Sequence, residues 1–369
     1  MSSPLWSGSG YQGHHGGDSL RRMAAMPAPD GNPIPKPAPA PTMTAVEEQA
    51  PEVAAPVAEE IPLPVPAVPV PSSPGVRIPD RGVRTDMRAR VLRTLTGGRA
   101  AGLEDEATWR ARVDLARLQA PVPLGHCGAI VVSQPKGGVG KTPTAMLIDA
   151  TLRANTRCES VVWDLNDNGG GRWVVPAVTS AVGRLVDTAQ RGAVTRSTIT
   201  SSMVIQDGGA YTVLPSREGA ENLTAPEFAA VWGTLRDWFD QTIIDTGNSL
   251  ASPNFLNALD IADVVVIPTD YSEAALAPTL ALARRLEAKW GEEWGSRVVL
   301  VPTGHVGDMG QVWLESVCAH TVPVPYDAHI DARDTLRYSD LTNATRDAGI
   351  RLGAAIMDIY RTSTTTASI

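Results

Sequence analysis

The chain has 369 residues and a net charge of −8, and its 30 prolines are unevenly spread: sixteen fall between Met26 and Arg81, against 13 in the 249 residues from Pro121 onward. Prolines at that density cannot make helix interiors or central strands, so the foldable part is one domain of about 245 residues from Gly125, large enough for a sizeable core. That domain carries 19 Lys+Arg against 27 Asp+Glu, and the first 124 residues hold 13 of each, which excludes a globally basic nucleic-acid binder.

Three cysteines, Cys127, Cys158 and Cys318, share no metal-ligand or disulfide spacing, as expected in a reducing cytoplasm. The opening MSSPLWSGSGYQGHHGGDS lacks the charged-then-apolar layout of a secretory signal. No run reaches the roughly 18 apolar residues of a membrane span. The expectation is a soluble cytoplasmic protein without integral membrane association.

In chain order, residues 1–80 read as a disordered region, first Gly/Ser-rich and then Pro-rich. Strings such as NPIPKPAPAP and IPLPVPAVPVP favour extended polyproline II, a spacer or a ligand for aromatic-lined grooves. Residues 81–124 read as an Arg-rich helical connector. Arg77–Arg99 holds seven Arg and two Asp, with Met87, Val91 and Leu95 at i, i+4 and i+8: a short basic amphipathic helix, open to DNA, an anionic surface or simple docking. A second helix follows in LEDEATWRARVDLARLQA, where Ala107, Trp109, Val113 and Leu118 are placed to pack on the domain.

From Gly125 the rhythm becomes short β-branched runs separated by helical patterns. The runs are 128–133, 160–165, 211–216, 242–246, 263–269, 297–303 and 321–325, and the clearest helices are PTAMLIDATLRA, TAPEFAAVWGTLRDWF and SEAALAPTLALARRLEAKW. Continuously apolar strands alternating with helices predict an α/β fold in three layers, a mostly parallel sheet covered by helices on both faces. Ligands of such folds sit at the carboxyl ends of the strands.

Immediately after the first of these runs stands SQPKGGVGKTPTA. Strand, Gly-rich turn, Gly140-Lys141-Thr142 and helix is the context of a phosphate loop. Gly137, Gly138, Val139 and Gly140 offer backbone N–H groups that curl around a phosphate, Lys141 neutralises it, and the Thr142 hydroxyl is a magnesium ligand. Pro143 is tolerated in the first helical turn.

Pro135 stands where the standard loop has its first Gly, and Lys136 opens KGGVGKT. This resembles the deviant Walker A loop of the ParA/MinD superfamily of P-loop ATPases. The resemblance extends from Gly128 to about Tyr360 and implies ATP and Mg²⁺ as ligands. It makes Lys136 the signature lysine, reaching across an ATP-bound homodimer to the partner's phosphates. The second run ends Trp163-Asp164-Leu165-Asn166, so Asp164 matches the first acidic position, near metal and attacking water. Asn166 replaces the second, and an amide can orient a water but cannot take its proton, which predicts slow intrinsic hydrolysis. FDQTIIDTGNS places Asp245 at the metal-holding Asp, with Gly247 for the usual Pro. VPVPYDAHIDARDTL resembles the segment that encloses the base, around Pro325 and Asp327.

The resemblance leaves the cargo open. The terminal RTSTTTASI is neither basic nor amphipathic, unlike membrane-cycling members. For DNA, candidates are Arg333, Arg337, Arg346 and Arg351, diluted by Asp331, Asp334, Asp340 and Asp347. The leading expectation is an ATP-switched ATPase of DNA, plasmid or chromosome partitioning, with a partner protein stimulating hydrolysis. The alternative is a nucleotide-sensing regulator or adaptor of a type VII secretion or conjugation system, acting through its Pro-rich arm. The Pro-rich N-terminus, the Arg-rich connector and the altered second motif resemble actinobacterial members, and the whole chain's 28 Arg against 4 Lys agrees.

Overall fold

The computed structural model describes residues 76–80, 105–122, 124–166, 181–206, 211–214, 222–303, 316, 318, 320–331 and 336–366, all of which belong to one unit of the chain, Val68–Ile369. The expected basic helix at Met87–Leu95, most of the Pro-rich region, Arg333 and Asp334 lie outside them.

Eight strands form one sheet: β1 (Gly128–Val132), β2 (Ser160–Leu165), β3 (Val204–Gln206), β4 (Tyr211–Leu214), β5 (Gln241–Thr246), β6 (Val264–Thr269), β7 (Val298–Pro302) and β8 (His320–Thr321). Their order is β3-β4-β2-β5-β1-β6-β7-β8. Every neighbouring pair is parallel except β3 against β4 at the edge. All residues of β1, β2, β5, β6 and β7 are buried, which is why these runs are continuously apolar rather than alternating.

Among the described residues the α-helices of six or more residues are α1 (Glu106–Gln119), α2 (Lys141–Asn155), α3 (Ala181–Gln190), α4 (Arg196–Ser201), α5 (Ala225–Trp238), α6 (Pro253–Ile261), α7 (Glu273–Trp290) and α8 (Asn343–Thr366), with 3-10 turns and a one-turn helix at Ala328–Asp331 besides. Strand alternation divides the core in two. Ile130 and Val132 point toward a cluster with Met146, Leu147, Leu152 and Ile356 under α2 and α8. Val131, Val161 and Trp163 point to the opposite face, against Leu185, Phe228, Phe255 and Leu282 of α3, α5, α6 and α7. There Trp163 and Phe228 stack with centroids 4.9 Å apart. α5 begins at a capping box, Thr224 with Glu227, with Pro226 in its first turn. α7 starts where the Ser272 side chain accepts from the Ala275 N–H.

α1 is tied to the last helix. Val113 and Leu118 are buried, as their spacing predicts; Trp109 is half-buried, its indole N–H donating to the Pro79 carbonyl at 2.9 Å, and Ala107 faces outward. Near the end of α1, Arg117 donates from Nε to Asp358 of α8 at 2.8 Å, and Arg361 reaches the other oxygen of Asp358 at 2.7 Å. These charges are nearly solvent-free, with Arg361 2% and Asp358 6% exposed in their side chains. α8 can approach α2 closely because position 349 is Gly: a Cβ there would collide with the Thr151 hydroxyl.

Sequence order reverses at β1, with β5, β2 and β4 on one side and β6, β7 and β8 on the other. This switch point opens a crevice at the strands' carboxyl ends, and the residues expected to form the phosphate loop stand there.

Candidate functional site

The loop from Ser133 to Gly140 leaves β1 and turns directly into α2. Gly138 (φ +78°) and Gly140 (φ +91°) occupy the left-handed region, where other residues are strained. Gly140 also stands at the N-cap of α2, with no side-chain cap on the helix, leaving its first N–H groups available to an anion. The base of the loop is fixed by fully buried Gln134, whose amide donates to the Thr279 hydroxyl at 2.8 Å and to the Pro268 carbonyl at 3.3 Å.

Beneath the loop the sheet brings two carboxylates together. Asp245 on β5 is in register with Asp164 on β2 and with Val132 on β1, and the two Asp are 2% and 4% exposed. One Asp245 oxygen accepts from the Thr142 hydroxyl at 2.5 Å; the other is buried with no hydrogen-bond partner. Burial first, and then the neighbouring Asp164 charge, push the Asp245 carboxyl well above its ordinary value of 3.8, against the opposing effects of Thr142 and Lys141. Asp164 accepts from the Asn166 backbone N–H at 3.2 Å.

Thr142, Asp245 and Asp164 thus fit a divalent cation on three counts: an orphaned buried carboxylate oxygen, a second carboxylate beside it and a hydroxyl within reach. Among the described residues no group of three or more His, Cys, Asp or Glu is placed to hold a metal. A magnesium ion bound by few protein ligands takes the rest from phosphates and water.

The titration of Asp245 gives a testable sign. A carboxyl whose folded value is raised favours the fold while protonated, so stability falls as pH climbs from near 4 through that raised value. Without magnesium, the wild-type protein is expected to lose melting temperature over this interval, and Asp245→Asn should lose less. Melting curves from pH 4.5 to 8 test this; parallel profiles would contradict it.

The two loop lysines take different partners. Lys141 Nζ donates to the Lys136 carbonyl at 3.2 Å and to the Asn248 amide oxygen at 2.5 Å; burial pulls its ammonium below the ordinary value, with Asp245 opposing. Lys136 Nζ forms an ion pair with Asp270 and donates to the Ser272 hydroxyl at 2.9 Å. Asn248, Asp270 and Ser272 carry no role in the sequence reading. Asn248 stands three residues beyond Asp245, and Asp270 immediately follows β6, so strand ends were the signal that could have found them.

Beside the loop a cavity of about 260 Å³ opens between Gly140, Pro143 and Leu147 on one wall and Val324, Pro325 and Tyr326 on the other. Tyr326 is 72% exposed at its mouth. Asp327 is buried and turned into the fold. It accepts from the backbone N–H groups of His329 (3.0 Å) and Thr342 (2.9 Å) and from the His329 ring at 2.9 Å. Burial opposes its charge, yet these bonds and the Thr345 hydroxyl hold the carboxyl far below the ordinary range. It therefore braces the cavity wall. Of the arginine candidates, Arg337 and Arg351 are exposed, and Arg346 is bonded to the Ser339 carbonyl and the Asn343 amide. Among the described residues no helix is long and apolar enough to cross a membrane.

No protein-family model and no curated protein matches the chain. Solved structures do. A putative plasmid partition protein from Borrelia burgdorferi B31 bound to AMPPNP is similar at 17% identity, covering 62% of this chain and 97% of its own, with a TM-score of 0.44. A ParA family ATPase from Chlorobium tepidum TLS is similar at 15% identity, covering 63% and 98%, with a TM-score of 0.47. Cobyrinic acid a,c-diamide synthase from Mycobacterium smegmatis with bound ATP analog and magnesium follows at 24% identity, covering 52% and 80%, with a TM-score of 0.36.

Proposed function

We propose that this chain is a magnesium-dependent ATPase that works as a nucleotide switch. The observation that carries the reading is the layered site: a phosphate loop with Lys141 above, and Thr142, Asp245 and Asp164 below, with one buried carboxylate oxygen lacking any partner. The loop N–H groups and Lys141 bind the phosphates, and the 260 Å³ cavity takes the base, with Tyr326 at its mouth offering an aromatic face. Thr142 and Asp245, with Asp164 near them, would hold magnesium, which would supply charge neutralisation for the phosphates. Asp164 and Asn166 orient the attacking water, and because Asn166 cannot accept a proton, turnover is slow until a partner assists.

On the resemblance of KGGVGKT to the ParA/MinD loop, ATP closes a homodimer. Lys136 then exchanges its home partner Asp270 for a phosphate on the second subunit. The leading role is partitioning of DNA, with exposed Arg337 and Arg351 among the groups that meet it. A second reading, a secretion or conjugation adaptor, rests on the sixteen prolines of the N-terminal arm, which suit aromatic-lined grooves.

Light scattering on the full chain tests the switch. Wild type is expected to be dimeric with ATP and monomeric with ADP or no nucleotide, and Lys136→Ala and Lys141→Ala monomeric throughout. A wild type that is monomeric in every state removes the switch. Equal DNA affinity with ATP and with ADP removes the partitioning role, because a switch needs differential affinity.

A further inference from the structure

Lys141 is the cation at the centre of the proposed nucleotide site, yet both oxygens it bonds are neutral: the Lys136 carbonyl and the Asn248 amide. The Asn248 contact, at 2.5 Å, is the shorter. Its side chain also overlies the start of the loop, since a Cβ placed on Gly137 would lie 3.7 Å from Asn248 Nδ2. The amide oxygen therefore takes a place on the Lys141 ammonium for which a phosphate oxygen would compete. Asn248 is exposed and makes this contact from the segment that joins β5 to α6. Gly247 precedes it, and Ser252 at the N-cap of α6 hydrogen-bonds Asn222.

We propose that Asn248 is a built-in, displaceable occupant of the phosphate position, and that its eviction by a triphosphate is what moves residues 247–261. The inference rests on the nucleotide reading above and adds the residue that senses occupancy. An amide suits this part for a reason of charge. It accepts one hydrogen bond from the ammonium, enough to hold the loop in place without ligand. A phosphate oxygen carries full negative charge, makes the stronger bond and wins the exchange. A carboxylate at 248 would compete too well, and a side chain without an acceptor would not compete at all. The segment then has two discrete positions, one tied to Lys141 and one released, as a switch requires.

The sign of one substitution decides it. Holding Lys141 by Asn248 lowers the binding-competent fraction and weakens apparent affinity by the same factor. For a hydrogen bond to a charged group that factor is about tenfold. Titrating the full chain calorimetrically with AMPPNP and magnesium, Asn248→Ala is expected to bind several-fold to about tenfold tighter than wild type. Asn248→Asp should bind at least tenfold more weakly.

Amide hydrogen exchange gives the independent readout. AMPPNP should raise exchange across 247–261 in wild type, and nucleotide-free Asn248→Ala should already show the raised rates. Melting without ligand verifies that both variants fold, which the exposure of Asn248 leads one to expect. If Asn248→Ala binds as wild type or more weakly, or if AMPPNP leaves exchange at 247–261 unchanged, the amide is no such occupant and the proposal falls. If wild type itself binds no AMPPNP, the nucleotide reading falls first, and this one with it.

Discussion

Lys141→Ala is expected to weaken ATP binding by roughly a hundredfold or more while leaving the fold almost untouched. Removing one partner of a buried, hydrogen-bonded charge pair costs about 2–5 kcal/mol, and each 1.4 kcal/mol is tenfold in affinity. In the absence of nucleotide, however, Lys141 bonds only the Lys136 carbonyl and the Asn248 amide. Its ammonium is moreover disfavoured by burial, which offsets part of the two bonds lost, so unfolding free energy should change by no more than about 2 kcal/mol. Titration with a fluorescent ATP analogue, paired with urea unfolding of the apo protein, checks both halves. Unchanged affinity would mean that the loop is not a phosphate site, and a collapse in stability would mean that the lysine is structural.

The largest effect on stability is expected at the other end of the domain, from Asp358→Ala. The carboxylate joins Arg117 of α1 to Arg361 of α8, and all three are nearly solvent-free. Truncating it leaves Arg361 with no carboxylate and Arg117 with only Asp114, at 2.7 Å, a loss of about 3 kcal/mol or more. For a domain of this size that corresponds to a fall of roughly 10 °C in melting temperature. Asp358→Asn, which keeps an acceptor, should fall less. A drop within about 2 °C for the alanine variant, by differential scanning fluorimetry, would show that the arginines find other partners.

How much of this could be read from residues alone differs by element, for physical reasons. The central strands were legible because both faces are buried, so their runs are continuously apolar, and the Gly-rich turn from β1 into α2 was legible because its glycines, lysine and threonine are neighbours in sequence. The β3 edge strand, three residues of VIQ, is too short to show a period. α8 hides its helical stripe behind glycines at 349 and 353, whose value lies in close packing against α2 and α1. Asp327 sits in the segment expected around the base, but only the fold shows its oxygens committed to Thr342 and His329. The partners of the two lysines were illegible for another reason. Lys136 and Asp270 are 134 positions apart, and nothing short of the β1–β6 pairing makes them neighbours.

That separation has a consequence for how the protein can be damaged. The site takes the loop from β1, Asp164 from β2, Asp245 from β5 and Asp270 from β6, four strands adjacent in the sheet but scattered through more than a hundred residues of chain. No contiguous fragment shorter than that interval contains it. On the proposed reading, nucleotide occupancy is therefore an integrity signal. A ligand that binds only the complete arrangement adds about 2.7 kcal/mol of stability at a hundred times its dissociation constant. That gain is lost at once when any of the four strands slips, frays or is cut away.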